Sequence, residues 1–169
     1  PRSRGLGDVY KRQLRNCAVL CMLLLLMLRL LLRDLNEPNA QFKIKNTIYK
    51  LSKNEGKNIL HGGVKGFDSK IWTIKKSSSN TIEYQYISQD GEEGFPGELI
   101  SFCQFSLQDN CLNISIKAKS SKTTHVNIVN HAYWNLEKIK KDIFGHSLYI
   151  NSDYYTEMDK DNIPTGKKI

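Results

Sequence analysis

A chain of 169 residues is long enough for one domain with a packed core, and 40% hydrophobic with 25% charged residues is ordinary for a globular protein. The formal charge of +8 is unevenly placed: residues 1–33 hold seven basic groups against Asp8 alone, leaving 18 basic and 16 acidic groups for the rest. The excess belongs to the leader, which argues against a nucleic-acid partner for the folded part. Lys75-Lys76 and Lys140-Lys141 read as solvated loop charges.

Cysteines 17, 21, 103 and 111 show neither metal-ligand spacing nor a compact disulfide framework. Cys103 and Cys111 have the spacing to face each other across a hairpin, but their strand context makes buried free thiols the expectation. A reduced, cytoplasmic protein follows. Asn113-Ile114-Ser115 is a glycosylation sequon by pattern, with meaning only in a secreted chain.

Residues 1–13 lack any periodic apolar pattern, and Val9-Tyr10-Lys11-Arg12-Gln13 resembles a translated transposon end of the kind used in sequencing libraries. The leader is therefore expected to be adapter read-through and is kept out of the fold. Cys17 to Leu28 is an uninterrupted apolar run, short for a membrane span of about 20 residues. It has the outline of a signal peptide, yet no small-x-small cleavage site follows. A helix-forming, mistranslated segment is the expectation, with no stable membrane partner. The domain boundary is placed between leader residues 1–33 and a single domain over 34–169.

From Gln41 the pattern is that of strands. Phe42-Lys43-Ile44-Lys45 and Ile48-Tyr49-Lys50-Leu51 alternate around a turn at Asn46-Thr47, which predicts a hairpin. Strands are predicted at 71–74, 81–87, 99–107, 111–118 and 123–129, separated by turn residues. Short strands at this spacing, with no amphipathic helix after residue 34, predict an all-β antiparallel sandwich or barrel.

Two clusters stand out. Asn58-Ile59-Leu60-His61-Gly62-Gly63 places an imidazole beside glycines that let backbone approach a ligand. Asn127-Ile128-Val129-Asn130-His131-Ala132-Tyr133-Trp134-Asn135-Leu136 concentrates donors, acceptors and ring faces, although histidines and asparagines also serve to cap a strand end. His-Gly-Gly also occurs in the oxyanion loop of α/β-hydrolases. Here no Gly-x-Ser-x-Gly elbow is present and strands do not alternate with helices, which excludes that fold. Between the clusters lies Ser88-Gln89-Asp90-Gly91-Glu92-Glu93-Gly94-Phe95-Pro96-Gly97. It does not match a calcium loop and reads as turns at Asp90-Gly91 and Pro96-Gly97.

The order Asn58-x-Leu60-His61-Gly62-Gly63, Gly66-Phe67-Asp68 with Trp72, the Asp90–Gly97 loop, Asn130-His131-x-Tyr133-Trp134-Asn135-Leu136 and Tyr155-x-x-x-Asp159 before Ile163-Pro164-Thr165-Gly166 resembles the aldose 1-epimerase (galactose mutarotase) family. The similarity runs from about Phe42 to the C-terminus. It implies a galactose-mutarotase-like antiparallel β-sandwich and an isomerase acting on a small aldose such as galactose or glucose, with no cofactor and no metal.

Interchanging sugar anomers means opening a hemiacetal and closing it on the other face. One group protonates the ring oxygen while another takes the C1 hydroxyl proton. Histidine, with a reference pKa of about 6.5, suits the first task. The resemblance implies that His131 is the catalytic acid, that His61 acts beside it and hydrogen-bonds the sugar, and that Tyr133 contacts the sugar. Trp134 is expected to pack.

Two departures are visible. The family's base glutamate and a sugar-binding aspartate lie beyond the Ile-Pro-Thr-Gly segment, and no residue of this chain matches them. The family's Asn-Arg pair ahead of the hairpin is replaced by Leu35-Asn36-Glu37-Pro38. The resemblance therefore implies an inactive, incomplete chain with unpaired strand edges and exposed apolar surface. Neither Glu92 nor Glu93 is expected to substitute as base. Two rival functions are a non-catalytic carbohydrate-binding sandwich and a hexose-6-phosphate 1-epimerase relative, which needs basic residues at the pocket rim.

Overall fold

The computed structural model describes residues 31–33, 37–109, 111–138 and 141–169. The expectations for the adapter-like stretch, the Cys17–Leu28 run and the cysteines in it lie outside the described residues. Ten strands run through the rest, every pairing is antiparallel, and the described helical content is three short 3-10 turns. Among the described residues no helix is long and apolar enough to cross a membrane.

The main body is a four-stranded meander of β4 (Thr73–Ser77), β5 (Thr81–Ser88), β6 (Leu99–Gln108) and β7 (Cys111–Ser120). Strand β6 shows why it forms: Leu99, Ser101, Cys103 and Phe105 are buried and alternate with half-buried neighbours, the period-2 pattern of a sheet with one covered face. Opposite them on β5, Ile82 pairs with Phe105 and Tyr84 with Cys103. Phe67 and Trp72 close this core from the preceding loop, with the Trp72 indole N–H donating to the Phe67 carbonyl at 3.0 Å. Burying an indole satisfied in this way adds apolar area without an unpaired donor.

Strand β4 begins two residues later than the sequence suggests. Trp72 is drawn into the core while Ile71 faces solvent, so the first two apolar residues serve the loop and not the ladder. Lys75 and Lys76 lie on β4, the edge of the sheet, and not in a loop, where charge discourages edge-to-edge pairing. The cysteine pairing is also different. Cys103 lies opposite Ile116 while Cys111 lies opposite Gln108, so the two do not face each other. Cys103 is buried, with its thiol pushed up to about 12 by burial, whereas Cys111 is exposed; both are free.

A second, smaller core gathers Ala40, Phe42, Leu51, Ile59 and Phe95 around the hairpin of β2 (Gln41–Ile44) and β3 (Thr47–Lys50). Its turn is Lys45-Asn46, one residue earlier than expected, with Lys45 in the left-handed region. Strand β1 (Leu31–Arg33), on the leader side of the expected domain boundary, pairs with β8 (Ile128–Asn130). Its Arg33 is buried, with the guanidinium 3.5 Å from the centroid of the Phe95 ring. Burial lowers the Arg33 pKa to about 10, against the raising effect of Glu92. The last hairpin joins β9 (Thr156–Met158) to β10 (Pro164–Lys168).

Candidate functional site

Four separate stretches converge on an open cleft of about 670 Å³, three of them carrying residues of the sequence motifs. The first is the loop that carries His61. Asn54 holds it by accepting from the Leu60 N–H at 2.7 Å and donating to the carbonyls of Leu60 and Gly63 at 2.8 and 2.9 Å. From the other side the Glu93 carboxylate accepts the backbone N–H groups of Val64 at 3.1 Å and Lys65 at 3.0 Å. A Cβ on Gly63 would stand 2.3 Å from Glu93 Oε2, and the residue has φ of +111°, so glycine is required for the carboxylate to reach the loop. Gly62 also packs closely on Arg33, where an added Cβ would lie 2.9 Å from the Arg33 Cβ. His61 itself has φ of +55°, uncommon for a side chain with a Cβ and held here by the bonds on both flanks.

The second stretch follows β8. Strand pairing with β1 ends at Asn130, whose side chain accepts the Ala132 N–H at 3.2 Å and turns the chain. This brings the His131 ring edge-on to the His61 ring, with centroids 5.1 Å apart and planes at 82°. Tyr133 leans on His131 from outside, 5.0 Å between centroids at 44°, and is 88% exposed. The two predicted histidines are thus together in the cleft wall, while Tyr133 touches the second histidine without lining the cleft. Trp134 does not pack as expected: it is 59% exposed.

The third stretch is the β9–β10 hairpin. Asp159 Oδ1 accepts the N–H groups of Asp161 at 2.9 Å and Ile163 at 2.8 Å, a side-chain-capped turn. Met158, Asn162, Ile163 and Pro164 thereby reach the cleft. The aspartate that the sequence motif singles out is the residue that shapes this wall.

Sequence reasoning missed Glu37. It lies in the cleft wall beside Pro38, and its Oε1 is 2.9 Å from His125 Nδ1. A lone glutamate in a polar stretch gives no motif, and His125 is 88 residues away, so neither local pattern nor spacing identifies the pair.

The acidic loop works as a brace. Glu92 accepts the Tyr86 hydroxyl at 2.6 Å and pairs with Lys70 at 3.5 Å. Burial first, then the bond to Glu92, keeps the Tyr86 hydroxyl protonated well above the usual range. Asp90 Oδ1 accepts the Gly97 N–H at 2.6 Å while Oδ2 pairs with Lys122. The oxygens of Glu92 and Glu93 are thus engaged in fixing the loops.

Comparison with known proteins bears on the family and the fold. The sequence profile of the aldose 1-epimerase family matches residues 37–169. Galactose mutarotase of Bos taurus is 42% identical over 127 residues, covering 75% of this chain and 37% of that protein. Aldose 1-epimerase of Haemophilus influenzae is 38% identical over 131 residues, or 76% and 38% of the two chains. Among solved structures, galactose 1-epimerase from Lactobacillus acidophilus superposes with a TM-score of 0.65 at 29% identity, over 80% of this chain and 41% of that one. An aldose epimerase homologue from C. elegans superposes with a TM-score of 0.70 at 23% identity, over 82% and 43%, a likeness of fold alone. The antiparallel strands form part of this galactose-mutarotase-like β-sandwich. The chain spans less than two fifths of the length of the curated relatives it matches.

Proposed function

Because the chain belongs to the aldose 1-epimerase family, we propose that its cleft binds an aldose and that His131 supplies the proton that opens the sugar ring. The observation that carries this reading is the edge-on pair of His61 and His131 in one cleft. The cleft volume falls within the range of about 300–1,000 Å³ common for small-molecule sites.

In the proposed reaction His131 protonates the ring oxygen as a base removes the C1 hydroxyl proton. The C1–oxygen bond breaks, leaving an aldehyde and a hydroxyl. Rotation about C1–C2 and reclosure by the reverse transfers give the other anomer. His61 hydrogen-bonds the sugar near the same edge, and Tyr133 completes the site as an outer contact. No residue here matches the family's base glutamate, and Glu92 and Glu93 are engaged elsewhere. The reading therefore has this chain bind aldoses with little or no catalysis of its own. The described residues lining the cleft include no Lys or Arg, which favours a neutral hexose over a hexose phosphate. Free Cys103 and Cys111 suit a reducing, cytoplasmic setting.

The test is calorimetric titration of the chain with D-galactose and D-glucose, alongside polarimetry of freshly dissolved α anomers. Binding that is lost in His131→Ala, with rotation decaying at the uncatalysed rate, is the expected result. A folded chain that binds neither sugar overturns the reading. Rapid equilibration by this chain would instead show that another residue supplies the base.

A further inference from the structure

Glu37 is mostly covered and engaged through one of its two carboxylate oxygens. Its side chain is 21% exposed, and it borders the same cleft as His61 and His131. Its Oε1 meets His125 Nδ1 at 2.9 Å, while no described residue hydrogen-bonds Oε2. A carboxylate whose one oxygen is fixed by a protein partner and whose other oxygen is open to solvent at a cleft wall is placed to accept from a ligand hydroxyl.

The surroundings fix this carboxylate. The Glu37 carbonyl accepts the N–H groups of Ala40 at 3.2 Å and Ile59 at 3.4 Å, so its backbone is tied to the smaller core. His125 stacks on Phe42, 4.3 Å between centroids at 20°. Its carbonyl receives the guanidinium of Arg33, which also donates to Thr124 Oγ1 at 3.1 Å. The chain from Arg33 through His125 to Glu37 thus holds one carboxylate oxygen from behind and leaves the other to the cleft.

We infer that Glu37 is a sugar-binding residue of this cleft, accepting a hydrogen bond from a non-reacting hydroxyl of the aldose, with His125 as its positioning residue. The inference rests on the aldose reading above and deepens it. A carboxylate accepts from hydroxyls and cannot donate, so it complements the imidazoles, which serve the C1 and ring-oxygen edge. A hydroxyl on a carboxylate makes a charge-assisted bond, and a site built to receive it penalises a sugar lacking that group.

The experiment is titration of the whole chain with D-galactose, D-glucose and their monodeoxy analogues, comparing wild type with Glu37→Gln and His125→Phe. His125→Phe keeps a ring on Phe42 and removes the nitrogen. One deoxy position should cost wild type about ten-fold in affinity, the scale of one charged hydrogen bond. Glu37→Gln should weaken the parent sugar by a similar factor and abolish that positional penalty, and His125→Phe should fall between. Equal binding and an unchanged deoxy profile in a folded Glu37→Gln overturn the inference while leaving the aldose reading intact. Failure of folded wild type to bind any sugar overturns both. Should Glu37→Gln not fold, the wild-type profile decides: no deoxy position costing affinity overturns the inference.

Discussion

The two histidines are held by regions of opposite construction. His61 sits on a loop with little regular structure, yet side chains of Asn54 and Glu93 bond its backbone from both flanks. His131 leaves a regular strand pair, and its C-terminal flank is then exposed at Tyr133, Trp134, Leu136 and, further on, Phe144. Regularity and rigidity are therefore separate properties here. A loop whose backbone groups are matched by buried or braced side chains is fixed locally, whereas a strand end is fixed only as far as its ladder and its packing extend.

The same contrast appears between the main sheet and the stretch after His131, and large-to-small substitutions measure it. Phe105 is fully buried between β5 and β7, so Phe105→Ala should cost about 3–5 kcal/mol in urea denaturation. Trp134 is the larger side chain but largely solvated, and Trp134→Ala should stay within about 0.5 kcal/mol. Comparable losses at the two positions would break the comparison, because they would require the stretch around Trp134 to be covered in solution.

The sheet was legible because one physical signal, alternation, recurs along Leu99–Phe105 and on β5, and because turn residues mark the intervals. Boundaries shifted where tertiary packing overrode the local pattern, as when Trp72 joined the core and left Ile71 outside. The histidines were legible through their glycine and asparagine neighbours. The face each aromatic takes was not: Trp134 depends on what packs beside it, which no local pattern records. Glu37 was illegible for a related reason. Its partner is distant in sequence, and the bridge from Glu37 to Ile59 that places it lies outside any regular strand.

A middle-sized effect sharpens the account of the His61 loop. Glu93→Ala removes both bonds to the Val64 and Lys65 N–H groups and should destabilise the chain by about 1–2 kcal/mol at this partly solvated position. It should also weaken sugar binding, since His61 loses its brace, and hydrogen exchange at Val64 and Lys65 should accelerate. Unchanged exchange there would mean that Asn54 alone suffices to hold the loop.

The smallest effect concerns the far end of the same acidic loop. The hydrogen bond from Lys122, and after it that from the Gly97 N–H, holds the Asp90 carboxyl below its ordinary value. A depressed folded value means a contribution to stability that is present above the unfolded carboxyl's pKa of about 3.9 and lost as pH falls through the folded one. Both side chains are well exposed, so solvent and salt screen most of it. Asp90→Asn should therefore lower the urea midpoint slightly at pH 6 in low salt, and wild type and variant should converge towards pH 2.5 or in 1 M salt. A gap that persists in acid would show that the stabilisation does not come from the charge on Asp90. The loop would then be held by turn geometry alone, as the His61 loop is held by backbone bonds, and the charge of Lys122 would contribute nothing.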